Sequence, residues 1–204
     1  MPNKAIITIS REYGSGGRII AEKLAKKLGY SYYDRELITM AAKQSGIEEE
    51  MFENADLKAT NSFLYSISLM SSFSEPPYDL PLNYKLFNIQ SDVIKKVAEE
   101  GACVIVGRCS NFVLKDNPNC INIFIHADLD KRVQRAIDVY SLNPKNVQET
   151  VQKIDKRRRT YYNYHTNLKW GNAADYHLSF DSGQLGIDGA VELILDYIDI
   201  VNGR

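Results

Sequence analysis

The residue types with the clearest chemical capacity stand together in ISREYGSGGRIIAEKLAKKLG, from Ile9 to Gly29, where Gly14, Ser15, Gly16, Gly17 and Arg18 separate an apolar run from an apolar-periodic one. That order reads as strand, tight turn and helix. Glycines in such a turn let backbone amides point inward without a Cβ clash, and the helix amino terminus adds partial positive charge. The chemistry implied is capture of an anion, above all phosphate. The pattern G-x-x-x-x-G-K-[ST] can be laid on this run in two registers. One sets Gly17 and Arg18 on the final Gly-Lys, with Glu12 at the first glycine; the other sets Gly16 on the last glycine and Gly17 on the lysine. In neither does a lysine fill its place. Arg18 offers a fixed fork instead of a flexible point charge, and Ile19 has no hydroxyl for magnesium.

Other candidates lie further along the chain. CVIVGRC ends an apolar run in Gly107-Arg108, and an arginine at the carboxyl edge of a parallel strand faces the ligand crevice or an edge salt bridge. SYYDREL sets Asp34, Arg35 and Glu36 at a strand-to-helix junction, where Asp34 suits either a helix N-cap or a site carboxylate. ADLDKRVQRA carries Lys131, Arg132 and Arg135 at helical spacing, and IDKRRRTYYNYH carries Asp155 to Arg159 followed by Tyr161, Tyr162 and Tyr164. In isolation that second run reads as a solvated helix with an Asp155–Arg159 pair at i,i+4. Its position after the INIFIH strand, on the side where the glycine turn opens, favours a phosphate-facing role.

Positioning these residues requires a sheet. The runs AIITIS, CVIVG and INIFIH suit strands buried on both faces, and their alternation with helical patterns predicts an α/β fold with a parallel sheet of about five strands, completed by SYY and HLSF. An amphipathic helix closes the chain, with Ile187, Val191, Leu195 and Ile198 in phase. Residues 39–93 break the alternation with a Ser-rich segment, SEPPYDLP and a helix from about Leu86 to Glu100. Such an insertion is expected over the carboxyl ends of the strands, as the region that selects the substrate.

The 204 residues suit one domain, 1–204, and a formal net charge of −1 gives no general attraction to nucleic acid or anionic lipid. Cys103, Cys109 and Cys120 lack CxxC spacing and read as reduced thiols, while the three histidines have no ligand spacing, so no protein metal site is expected. Without a signal-like or membrane-length apolar segment, a cytoplasmic protein with no nucleic-acid or membrane partner is expected. A homodimer is compatible with the sequence, but no feature specifies one.

Taken in order, ITISREYGSGGRIIAEKLAKKLG, SYYDRELI, CVIVGRC, HADLDKRVQRA, IDKRRRTYY and LSFDSGQLGID resemble the cytidylate kinase-like family, a branch of the P-loop nucleoside monophosphate kinases. The resemblance implies a P-loop NTPase-type sheet flanked by helices, a monophosphate-binding insertion at 39–93 and a helical lid at 129–175. It implies ATP and magnesium, with no magnesium ligand identifiable, and nucleotide substrates such as CMP or dCMP. By position, Gly14 to Arg18 match the donor-phosphate loop; Asp34, with Arg35, and Arg108 match the acceptor side; Arg132, Arg135, Asp155 and Arg159 match the lid. Arg18 is then expected to replace the loop lysine. Asp181 matches a turn after the last strand. The chain departs from the family pattern at the loop lysine and hydroxyl, at Val106 and Cys109 beside Gly107-Arg108, and at Met40. A phosphotransferase is the leading expectation; a non-catalytic nucleotide-binding protein and a kinase of a non-nucleotide molecule are the alternatives.

Overall fold

In the computed structural model, residues 6–52 and 82–203 are described, so SEPPYDLP and much of the expected insertion lie outside the described residues. Five strands, β1 (Ile6–Arg11), β2 (Ser31–Tyr33), β3 (Cys103–Val106), β4 (Cys120–His126) and β5 (Leu178–Asp181), form one sheet in the order β2-β3-β1-β4-β5. Every pairing is parallel. The β-branched runs form strands because both faces of the sheet are covered. Ile7, Ile9, Val104, Val106, Ile123 and Ile125 pack on one face beneath α1 (Gly17–Leu28) and α7 (Ser182–Val201). Ile6, Cys103, Ile105 and Phe124 pack on the other, beneath α2 (Glu36–Ser45) and α3 (Leu82–Glu100).

A single turn of helix, α4 (Ser110–Val113), follows β3, and α5 (Leu129–Asp138) and α6 (Val147–Thr166) follow β4. Ala136 meets Val147 and Val151 in a small apolar cluster of their own, while the far end of α6 joins the main core through Tyr161 and Tyr162. Among the described residues the expected strands and helices are present. The helix expected from Leu86 begins at Leu82, and α7 is interrupted at Gly186, where φ is 70°. Among the described residues no helix is long and apolar enough to cross a membrane. The three cysteines are buried and form no disulfide with one another, and burial pushes the Cys103 thiol up to about 11 and Cys120 to about 12.

At the end of α6, His165 stacks on Phe87 at 4.3 Å and sits 4.5 Å from the Tyr161 ring, with neither ring nitrogen hydrogen-bonded. Burial pulls this imidazole down to about 4. Between that value and the ordinary 6.5, the unfolded chain binds a proton that the folded chain refuses, so its stabilising effect is present above 6.5 and lost as pH falls. We expect this residue to remove on the order of 2 kcal/mol of stability between pH 7 and pH 5. Denaturant titrations at the two pH values should show His165→Phe losing that much less; identical losses in both proteins would refute the assignment.

Candidate active site

Strand β1 ends at Arg11, and the chain crosses Glu12, Tyr13, Gly14 and Ser15 before α1 opens at Gly17, with Gly16 as its N-cap. Gly14 and Gly16 hold φ of 80° and 81°, left-handed conformations in which a side chain is strained. A Cβ on Gly14 would also fall on the Arg132 backbone carbonyl. A phosphate loop presents its lysine where the helix opens, and the position that opens α1 is Gly17. The structure therefore selects the second register, with Gly17 in the lysine place and Arg11 in that of the first glycine.

The loop is held from behind. Asp155, on α6, accepts the Tyr13 N–H at Oδ1 (2.7 Å) and meets Arg132 Nη1 at Oδ2 (2.5 Å). Arg132 reaches Glu12 at 3.3 Å and donates to the carbonyls of Ala127 and Tyr13, while Arg135 donates to the Gly14 carbonyl at 2.8 Å. Burial raises the Asp155 carboxyl above its ordinary value against the opposing pull of the Tyr13 N–H, Arg158 and Arg132. From the other side Ser182 Oγ donates to the Ser15 carbonyl at 2.6 Å. Asp181 caps α7 by accepting the Gly183 N–H.

In front of the loop lies a cleft of about 680 Å³ between the carboxyl ends of β1 and β3, the β2–α2 junction and α6. Arg11, Arg18, Arg35, Arg108, Arg157 and Arg158 line it against the carboxylates of Glu12 and Asp34. The excess of cations gives it a positive potential that suits an anion. Arg11 lies at its floor: burial, then Arg158 and Arg108 nearby, pull its guanidinium down to about 9, opposed by Asp34. The far wall is Gly107, Arg108 and Cys109, with φ of 75°, 57° and 55°. Left-handed conformations at two consecutive side-chain-bearing residues cost about 1–2 kcal/mol each and persist only where the surrounding structure holds them.

The candidates named from sequence fall into two groups. Gly14, Gly16, Gly17, Arg18, Asp34, Arg35 and Arg108 line the cleft, whereas Ser15 is fully buried with its hydroxyl on the Glu12 carbonyl. Arg18 is 55% exposed and its Nε meets Asp34 at 2.8 Å. That contact, with Arg11 at 3.9 Å, occupies the Asp34 carboxylate, so Asp34 does not cap α2; Arg35 holds the N-cap position. Arg132, Arg135 and Asp155 lie behind the loop and contact its backbone. The local Asp155–Arg159 pair gives way to Asp155 with Arg132 and Arg158, and Arg159 lies 5.8 Å over the Trp170 ring. The sequence reading missed Arg11, Ser182 and the specific part of Arg158, which donates to the Arg11 carbonyl at 3.0 Å and lies 5.5 Å over the Tyr13 ring. Only the second register carried a signal for Arg11.

Residues 6–184 match the cytidylate kinase-like family. The chain belongs to that family. Among curated relatives, the cytidylate kinase of Streptococcus thermophilus strain CNRZ 1066 is 24% identical over 214 residues, covering 92% of this chain and 93% of the relative. Among solved structures, an uncharacterized protein from Eubacterium ventriosum ATCC 27560 is 29% identical with a TM-score of 0.72, covering 96% of this chain and 98% of that one. Shikimate kinase from Bacteroides thetaiotaomicron, 11% identical with a TM-score of 0.57 over 96% and 98% of the two chains, shares the fold. This member of the cytidylate kinase-like family is thus a nucleotide or small-molecule kinase on a P-loop fold.

Proposed function

We propose that the chain transfers the γ-phosphoryl group of ATP to a small acceptor that carries its own phosphate, a nucleoside monophosphate such as CMP or dCMP. One observation carries this reading: a single cleft has the glycine loop on one wall and Arg108 on the other, with arginines in excess between them. Transfer between two phosphates demands little covalent chemistry from the protein and much charge neutralisation. No general base is required, since an acceptor phosphate oxygen is already nucleophilic.

The donor phosphates fit the inward-turned loop, where Gly14 to Arg18 would hold them. The choice of CMP rests on the relatives named cytidylate kinase. Asp34, Arg35 and Arg108 would bind the acceptor. Arg132, Arg135 and Asp155 would act through the loop by fixing its backbone, and α5 and α6, with Arg159, would form the lid. Magnesium entering with ATP would supply charge neutralisation. The place of its usual loop hydroxyl falls at Arg18 in the register with Gly17 at the lysine place, so that hydroxyl has no counterpart there, and among the described residues no group of three or more His, Cys, Asp or Glu stands together. The donor set therefore does not match that metal's usual one.

The test is ATP consumption with magnesium across a panel of nucleoside monophosphates. We expect turnover with CMP or dCMP well above the other members. Tight ATP binding with no turnover on any acceptor would replace this reading with a non-catalytic nucleotide-binding protein. Turnover confined to a phosphate-free acceptor would replace it with a kinase of another small molecule.

A further inference from the structure

Relative to the pattern G-x-x-x-x-G-K, glycine and cation have exchanged places: Arg11 stands at the first glycine and Gly17 at the lysine. The exchange is also physical. A Cβ built on Gly17 would lie 2.6 Å from Arg11 Cβ and 2.9 Å from its Cγ, so the arginine stem occupies the space into which a side chain at Gly17 would grow. Further out, the guanidinium crosses the cleft floor to Gly107, where a Cβ would fall on Nη1 and lie 3.3 Å from Cζ. Gly17 is therefore required by the stem of this side chain, and Gly107 leaves room for its guanidinium. The path of the side chain runs from the helix opening to the Gly107-Arg108 strand end, the interval between the two proposed phosphate sites.

We infer that Arg11 does the work of the missing loop lysine, directing its guanidinium at the terminal phosphates of the bound nucleoside triphosphate from the opposite end of the loop. The inference rests on the reading of ATP as donor. Asp34 at 3.9 Å is the acidic group beside Arg11, and Arg158 and Arg108 crowd it with like charge, so a polyanion entering the cleft relieves a repulsion already present. The fork geometry of arginine suits two phosphate oxygens at once. Arg18, by contrast, is 55% exposed and its Nε is engaged by Asp34 at 2.8 Å.

The measurement is titration calorimetry of ATP with magnesium on the wild-type chain, Arg11→Met, Arg18→Ala and the double variant Arg11→Gly/Gly17→Lys. Methionine keeps an apolar stem against Gly17 and removes the charge. Arg11→Met should bind ATP about 10- to 100-fold more weakly, the range for a lost charge-assisted contact, and lose more than Arg18→Ala. The double variant rebuilds the ordinary loop and should recover most of that affinity. A loss in Arg11→Met under about threefold, or no larger than that in Arg18→Ala, overturns the inference and leaves the kinase reading standing. So does a double variant that binds no tighter than Arg11→Met. No ATP binding by the wild type removes both. Should Arg11→Met not fold, a crystal structure of the wild-type chain with a non-hydrolysable ATP analogue decides: Arg11 hydrogen-bonded to a phosphate oxygen supports the inference, and a guanidinium more than about 4 Å away overturns it.

Discussion

Asp155→Ala should lower stability by about 3–5 kcal/mol, the usual result of removing one partner of a buried ion pair. The Asp155 side chain is only 8% exposed, and it satisfies a backbone N–H of the loop as well as two arginines. Its loss leaves the Tyr13 N–H without its acceptor and leaves Arg132 with Glu12 as its carboxylate partner, beside the Ala127 and Tyr13 carbonyls. For a chain of this length the expected fall in melting temperature is about 10 °C, readable by calorimetry or circular dichroism. Asp155→Asn keeps an oxygen for Tyr13 and should recover part of the loss. A fall under about 3 °C in Asp155→Ala would contradict the network as described.

The same network separates stability from positioning. An apolar pair of similar volume, Arg132→Met with Asp155→Leu, removes both buried charges together, and such replacements are often neutral or stabilising. It also removes the donors to the Tyr13 and Ala127 carbonyls and the acceptor for the Tyr13 N–H. The double variant should therefore recover much of the stability lost in Asp155→Ala, short of what the Tyr13 N–H loses with its acceptor, yet bind ATP more weakly, because the loop would no longer be held in one conformation. Wild-type ATP affinity in a stable double variant would reduce the network to a packing device.

Much of the fold was legible because its signals are local. AIITIS, CVIVG and INIFIH are too continuously apolar for a half-exposed strand, and glycines punctuate the helices where their periodic runs stop. The Gly14–Gly17 turn was legible for the same reason. What escaped reading is tertiary. Asp34 suits an N-cap by local rules, but folding brings Arg18 to its carboxylate, and the ion pair wins over the cap. Asp155 and Arg159 have ideal i,i+4 spacing, yet Asp155 faces inward and finds Arg132, from the preceding helix, instead. Arg11 carried no signal beyond its place in the second register because Gly17 and Gly107 meet it only in space. The missing loop lysine was visible as an absence; its replacement required the structure.

Arg108→Ala should raise the acceptor KM by about 10- to 100-fold while changing kcat far less, since a contact made equally to the acceptor phosphate before and during transfer is uniform binding. The substitution is a fair test of the guanidinium. At φ 57° alanine and arginine bear the same left-handed strain, because both carry a Cβ, so the backbone contribution cancels. Gly107 behind it and Ser110, whose N–H bonds the Gly107 carbonyl at 3.0 Å, keep the turn in place without the side chain. The measurement is initial velocity with the acceptor varied at saturating ATP, for the wild type and Arg108→Ala, together with the ATP affinity of each. Unchanged ATP affinity with raised acceptor KM assigns Arg108 to the acceptor side of the cleft. A fall in kcat of about 10³ or more, the scale of a lost transition-state arginine, with KM unchanged would move it instead onto the group in flight, making the β3 end part of the transfer machinery.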